Sequence, residues 1–386
     1  MKMKIENYFT QETWAKLKTF ADRHPTPFVM INLNSIRKKY HELKQCFPMA
    51  KIYYAVKANP AVEILRILHE LDAYFDIASI HELERVLAIG VPPDHVSFGN
   101  TIKKRKDIRE FYERGVRLFA TDSEADLRAI AKEAPGSSVY VRVLTEGGET
   151  SDWPLTRKFG CQTDMAVDLF LLARDLGLDP HGVSFHVGSQ QRDIGVWDGA
   201  LSKVHSIFMR MKKEGIHLKM VNMGGGFPAR YAQQSFDISQ YAREILRFLE
   251  DDFGVNLPEI ILEPGRSLVG EAGIIVTEVV LVSKKGSNDM YRWVFTDIGK
   301  FNGMIETLGE AIRYPLHHEK TGEESKVIIA GPTCDSMDIL YETYKYRLPV
   351  NLEAGDRLYW FATGAYTTSY SSVEFNGFPA LKAYYL

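Results

Sequence analysis

A lysine, a histidine and a glutamate, each at the end of an apolar run, are where chemistry can be read from this chain. Lys57 follows Lys51–Val56 (KIYYAV), His186 follows Val183–Phe185, and Glu263 follows Glu259–Leu262. An amine can bond covalently to a carbonyl carbon, and an imidazole can stack on a flat ring. A carboxylate beside a heterocyclic nitrogen favours the protonated, cationic ring. Two further segments suit an anion: Met223-Gly224-Gly225-Gly226-Phe227 and Glu263-Pro264-Gly265-Arg266. Glycines let backbone N–H groups approach a phosphate closely, and arginine adds fixed charge. Each feature has a plainer reading. A strand-end lysine is often merely exposed, a histidine merely hydrogen-bonded in the core, and a triple glycine merely a tight turn. Their combination is what argues for a site.

The elements that must carry these residues recur in a regular rhythm. Lys51–Val56 is β-branched and aromatic and reads as a buried strand. Pro60 then opens Ala61–Leu71, whose Val62, Leu65, Leu68 and Leu71 recur at helical spacing. Further strands are expected near Tyr74–Ile77, His95–Phe98, Arg117–Ala120, Ser138–Leu144, Val183–Phe185, Leu218–Asn222 and Glu259–Leu262. Strands separated by helices pair in parallel through right-handed crossovers, and eight such units predict a closed (βα)8 barrel. Beyond Gly270 the pattern changes. Ile274–Val282, Arg292–Phe295, Lys326–Ile329 and Arg357–Phe361 are β-rich with little helix between them, which predicts an antiparallel, barrel-like β domain. Pro27–Asn32 can supply it with a strand, because chain ends commonly lie close together. The expected division is a barrel over 34–270, with 1–33 and 271–386 forming the β domain.

Chemistry in a (βα)8 barrel sits at the C-terminal ends of the strands, and phosphate binds in the loops after strands seven and eight. The expected strand ends carry Lys57, Asp76, Asn100, Arg142, His186, Gly224–Gly226 and Glu263, and the two anion-type segments are those very loops. No G-x-x-x-x-G-K-[ST] or strand-linked G-x-G-x-x-G element speaks for a nucleotide. One phosphate site and an inward amine at another strand end predict pyridoxal 5'-phosphate. The small residues around Lys57, in Tyr54-Ala55-Val56-Lys57-Ala58-Asn59, leave room for a planar ring.

In combination, YAVKAN, FDIAS, SFHVGSQ, GGGFP, EPGR, GPTCDS and GAYT followed by FNGF give the chain a family resemblance. It resembles the alanine-racemase-fold (fold type III) pyridoxal enzymes, and within them the bacterial lysine/ornithine decarboxylases, from about Pro27 to the C-terminus. The resemblance implies decarboxylation of L-ornithine or L-lysine to putrescine or cadaverine, in polyamine biosynthesis. It implies that Lys57 holds the cofactor, that Asp76 and Glu82 orient Lys57 and the ring's surroundings, and that Arg142 lies beneath the cofactor. His186 stacks on the ring, Glu263 pairs with the ring nitrogen, and Ser189, Gly226, Gly265, Arg266 and Tyr366 join Gly224 and Gly225 around the phosphate. Cys334 protonates Cα, and Asp335 receives the distal ammonium of the substrate. Both act in the neighbouring subunit's site, which implies a homodimer.

The segment after Asp297-Ile298-Gly299-Lys300-Phe301-Asn302 departs from the eukaryotic ornithine decarboxylases. Gly303–Pro315 is longer there, and its Glu306 and Glu310 are both candidates for a second substrate acid. Ornithine and lysine differ by one methylene, which a pocket distinguishes by only about 1–3 kcal/mol. A decarboxylase for diaminopimelate, carboxynorspermidine or a siderophore precursor stays open. The first would be expected to carry Cys-Glu-Ser-Gly-Asp in place of Cys334-Asp335-Ser336-Met337-Asp338. An alanine racemase would set a cation, not Glu263, against the ring nitrogen. A regulatory homologue without activity would typically lose Lys57, the phosphate loop or Cys334, and all are present.

Bulk composition agrees with a reduced, cytoplasmic enzyme. The net charge of −3 gives no general attraction to nucleic acid or anionic membrane. No apolar run is long enough to cross a bilayer, and Met1–Thr10 lacks a signal-peptide pattern. Cys46, Cys161 and Cys334 are too few and too scattered for a disulfide framework or a thiolate zinc site, so no metal is expected.

Overall fold

The computed structural model describes residues 3–146, 148–153, 156–373, 376 and 379–386. They fall into two compact units. One comprises 37–228 and 236–265, and the other comprises the chain up to Ile36, Ala229–Ser235 and Arg266–Leu386.

The first unit is a closed barrel of eight parallel strands. In order these are Lys51–Ala55, Tyr74–Ile77, Val96–Phe98, Leu118–Thr121, Ser138–Arg142, Asp179–Ser184, Met220–Asn222 and Glu259–Leu262, the last pairing back onto the first. Seven were legible as short apolar runs; the sixth, DPHGVS, was met only at Val183–Ser184, the buried end of the expected Val183–Phe185. A continuous apolar run suits strands covered on both faces, as parallel strands are. Tyr53, Ala120, Tyr140, Met220 and Ile261 fill part of the interior. The helix after the first strand spans Val62–Glu70 and buries Ile64, Leu65, Ile67 and Leu68. Val62, expected on its apolar stripe, is exposed, and Pro60 precedes the helix rather than lying in its first turn. The helix Ile80–Ala88 begins at Ser79, whose side chain accepts from the Glu82 N–H. A two-stranded ribbon, Ser151–Trp153 with Ser189–Gln191, was not expected.

The second unit is an eight-stranded sheet in which Gly273–Ser283, Arg292–Thr296, Glu324–Ala330 and Arg357–Phe361 cover the segments expected at Ile274–Val282, Arg292–Phe295, Lys326–Ile329 and Arg357–Phe361. Phe28–Ile31 joins it antiparallel to Gly273–Val276, as Pro27–Asn32 was expected to do. The sheet is mostly, not wholly, antiparallel: Arg292–Phe295 runs parallel to Val327–Ala330, and Phe28–Ile31 parallel to Lys382–Tyr385. Three strands were missed, Leu316–His318, Ile339–Pro349 and Lys382–Tyr385. An N-terminal helix, Gln11–Ala21, also belongs to this unit; its Trp14, Leu17 and Ala21 pack with Phe28, Ile274, Tyr359 and Phe361. Among the described residues no helix is long and apolar enough to cross a membrane.

Candidate active site

At the C-terminal end of the barrel, the strand Lys51–Ala55 runs into a tight turn, Val56–Ala58, that buries Val56 and Ala58 and leaves Lys57 exposed. The Tyr54 hydroxyl closes this turn by donating to the Asn59 carbonyl at 2.9 Å. The Ala55 N–H donates to the Pro264 carbonyl at 3.0 Å, so Lys57 and Glu263 stand on adjoining strand ends.

Asp76 lies on the next strand, opposite Ala55, and is buried. Its Oδ1 has no hydrogen-bond partner among the described residues. Space for it exists because residue 99 is glycine: a Cβ there would stand 1.8 Å from that oxygen. Burial first, and then the charge of Glu263, push the Asp76 pKa well above the ordinary range, against the pull of Lys57 and Arg142. Glu82 accepts from the Ala78 N–H at 2.7 Å, and burial raises its pKa too.

His186 shows its protonation state by geometry. Its Nδ1 accepts from the Gly188 N–H at 3.0 Å, so in a neutral ring the proton sits on Nε2. Burial, with Arg142 and Lys57 adding positive charge, pushes its pKa well below the usual histidine value. The imidazole is therefore a neutral, fixed plate. Arg142, at the end of its strand, holds its guanidinium 5.0 Å from the Phe159 ring. Ser189 begins the ribbon strand three residues beyond His186.

The triple glycine is needed for space as much as for conformation. A Cβ at Gly224 would stand 2.3 Å from the Phe185 carbonyl oxygen, and one at Gly225 2.6 Å from that of Glu263. Gly224 and Gly226 also adopt φ of +62° and +99°. Of the three glycines expected around a phosphate, Gly224 has its N–H engaged, donating to Asn222 Oδ1 at 2.9 Å. Among the described residues no acceptor takes the N–H groups of Gly225 and Gly226. Asn222 was missed from the sequence. It ends the seventh strand as Glu263 follows the eighth, and its Nδ2 donates to Glu263 Oε1 at 2.5 Å. Its only signal was its place at a strand end.

In the second unit Arg266 opens a short helix, Arg266–Val269, and is buried. It donates to both oxygens of Glu306, at 2.6 and 2.5 Å, and to the Tyr231 hydroxyl at 3.0 Å. The Tyr366 ring centroid lies 4.8 Å from the guanidinium carbon. Glu310 accepts from three backbone N–H groups, those of Glu342, Thr343 and Tyr344, at 2.5–2.7 Å. Both candidates for a second substrate acid thus carry partners inside their own unit.

Cys334 is exposed, and its N–H donates to Asn376 Oδ1 at 3.0 Å. Asp335 closes its own turn by accepting from the Met337 N–H at 2.8 Å. Beneath them Asp338 is buried and accepts from the Lys300 N–H and from the N–H and hydroxyl of Thr333. Of the FNGF motif, Phe375, Gly377 and Phe378 lie outside the described residues.

The residues of the barrel end fit pyridoxal phosphate by their donor set. They offer an exposed amine, a neutral imidazole, a carboxylate held by an amide, a carboxylate oxygen without a partner, and two N–H groups in a cradle that a Cβ would fill.

Residues 33–270 match the family of the pyridoxal-dependent decarboxylase, pyridoxal binding domain. The lysine/ornithine decarboxylase of Selenomonas ruminantium is 31% identical over 366 residues, 94% of this chain and 90% of that one. A crystal structure of an SrLDC mutant in complex with PLP has a TM-score of 0.89 at 30% identity, covering 100% of this chain and 97% of the other. The lysine/ornithine decarboxylase of Vibrio vulnificus, complexed with cadaverine, has a TM-score of 0.87 at 27% identity, covering 98% and 99%.

Proposed function

We propose, since the chain belongs to the pyridoxal-dependent decarboxylase family, that it removes the carboxylate of L-ornithine, L-lysine or both, releasing carbon dioxide and putrescine or cadaverine. The observation that carries this reading is the set of Lys57, Asp76, His186 and Glu263 at one end of one closed barrel, with polar capacity left over. The substrate class rests on the names of the Selenomonas and Vibrio relatives.

Pyridoxal phosphate, when bound, supplies the electron sink for the pair left behind as carbon dioxide departs. Lys57 binds it covalently. Glu263 would keep a proton at the ring nitrogen by its negative charge, and the neutral His186 would lie against the ring without adding a competing cation. Asp76 and Arg142 set the field around Lys57. Gly225 and Gly226, with Ser189 and Gly265, would hold the phosphate, the role the family resemblance also implies for Arg266 and Tyr366. Cys334 returns a proton to Cα and Asp335 binds the distal ammonium, both at the active site of a second copy, so the working form is a homodimer. The cofactor domain of this reading is 34–270, close to the matched span 33–270, with 1–33 and 271–386 as the other; by compactness 34–36, 229–235 and 266–270 group with the latter. Three thiols without a disulfide suit a cytoplasmic location.

The engagement of Glu306 and Glu310 keeps a second substrate reading open, since it leaves one expected acid, Asp335, for a distal ammonium. That reading is a decarboxylase of another diamino acid, such as diaminopimelate, carboxynorspermidine or a siderophore precursor. The test is carbon dioxide release from a panel of amino acids by the pyridoxal-phosphate-loaded protein. Release from ornithine or lysine is expected. Release from meso-diaminopimelate alone would overturn the substrate class, and release from none of the panel would overturn the activity.

A further inference from the structure

We infer that Asn222 is a positioning residue, whose single amide fixes Glu263 for the cofactor ring and the glycine loop for the phosphate at once. The inference rests on the reading of Glu263 as the partner of the ring nitrogen.

Asn222 is buried at the end of the strand Met220–Asn222, between Ile261 of one neighbouring strand and Ser184 of the other. Its two side-chain ends face different groups. Nδ2 donates to Glu263 Oε1 at 2.5 Å, and Oδ1 accepts from the Gly224 N–H at 2.9 Å. An amide has one donor end and one acceptor end, so these partners fix which way it points. The Glu263 N–H in turn donates to the Gly224 carbonyl at 2.7 Å, which closes a small ring of hydrogen bonds. Glu263 therefore cannot swing without disturbing Gly224. By taking the Gly224 N–H, Asn222 leaves Gly225 and Gly226 as the phosphate-facing glycines.

The donor end is what matters. An aspartate here would have the right shape but would need a proton to donate to Glu263. Two carboxylates this close share one proton, and the shared proton is lost as pH rises. Asn222→Asp should then behave almost as the wild type in acid and fail in alkali. The other groups around Glu263 do not mimic this behaviour. Tyr53 and Tyr140, from the first and fifth barrel strands, are held neutral by burial, and His186 stays neutral. Lys57 and Arg142 also face this end of the barrel and are common to wild type and variants, so a ratio to wild type at each pH removes their own contribution; Asp76, which feels the charge of Glu263, is removed by repeating the comparison in an Asp76→Asn background.

The experiment titrates pyridoxal phosphate into the apo forms of wild type, Asn222→Asp and Asn222→Ala from pH 6 to 9, read by the cofactor's visible absorbance. For Asn222→Asp, affinity relative to wild type should fall about tenfold or more across this range, the scale of a lost hydrogen bond to a charged group. For Asn222→Ala the ratio should be lowered by a constant factor. A flat ratio for Asn222→Asp would overturn the inference, because a merely structural asparagine predicts parallel behaviour of the two variants. Should Asn222→Asp fail to fold, the exchange Asn222→Asp with Glu263→Gln decides. It restores one amide facing one carboxylate, so its apo form should melt above either single variant, and no recovery would overturn the inference. Glu263→Gln alone separates the two readings. Wild-type turnover and absorbance in that variant would remove Glu263 from the ring nitrogen, while the melting comparison would still report on the Asn222 link.

Discussion

Among the described residues, Asp76 at the mouth of the barrel keeps a carboxylate oxygen without a partner and Gly225 and Gly226 keep their N–H groups, whereas both carboxylates of Gly303–Pro315 are engaged. Glu306 gives both oxygens to Arg266, and Glu310 gathers three backbone N–H groups. Tyr314 and Tyr341, buried close by, hold the same segment: Tyr341 donates to the Ile312 carbonyl and accepts from the Tyr314 N–H. Buried polar groups in folded proteins are nearly always paired, so capacity left over in a buried place asks for a ligand, and capacity filled points to scaffolding. Charge and residue type alone do not separate the two regions. Partner lists do.

The sharpest way to break this contrast is at Lys57. Lys57→Ala should lower decarboxylation by about a thousandfold or more, as loss of a covalent group does, and should abolish the visible absorbance of bound cofactor. Its melting temperature without cofactor should hardly move, because the side chain is exposed. Unchanged absorbance would show that another amine binds the cofactor.

Glu306→Ala should do the reverse. It strands a buried guanidinium, a change that costs about 3–5 kcal/mol when one partner of a buried pair is removed. Denaturant unfolding of the apo form would read it, with a lower midpoint and an unaltered slope. If stability held and only the KM for ornithine or lysine rose, Glu306 would be a substrate acid after all, and the contrast would fail.

How far the sequence carried this distinction can be judged residue by residue. Most barrel strands were legible because a strand covered on both faces needs an unbroken apolar run, and Lys57, His186 and Glu263 stood out as polar residues just past such runs, Asp76 as one near the end of its own; the sixth strand, DPHGVS, showed only its buried end. The strand Ile339–Pro349 was illegible because it reads ILYETYKYRLP, where exposed Glu342 and Thr343 interrupt the run. Glu306 looked like a substrate acid because sequence shows a carboxylate but not its partner, and Arg266 lies 40 positions away. Asn222 was overlooked for the same reason: its meaning lies in an amide shared by Glu263 and Gly224, a relation with no local pattern.

The smallest effect tests the contrast most directly, because it asks whether leftover capacity costs stability. Asp76 has its pKa raised in the folded chain above the ordinary value of 3.8, chiefly by burial. The folded state then holds a proton that the unfolded state has released, so stability falls as pH climbs from the ordinary value toward the folded one. Asp76→Asn is nearly the same shape and has no charge to desolvate. Its apo form should be more stable than wild type by about 1 kcal/mol near neutrality, and the gain should shrink as the pH is lowered toward 4, where the wild-type carboxyl is protonated in both states. Cofactor binding should weaken in the same variant, separating the carboxylate's role from its cost. Lys57 and Arg142 oppose the shift and limit the gain. An apo form of Asp76→Asn less stable than wild type at every pH would mean that this carboxylate is scaffolding like Glu306, and that its lone oxygen marks nothing.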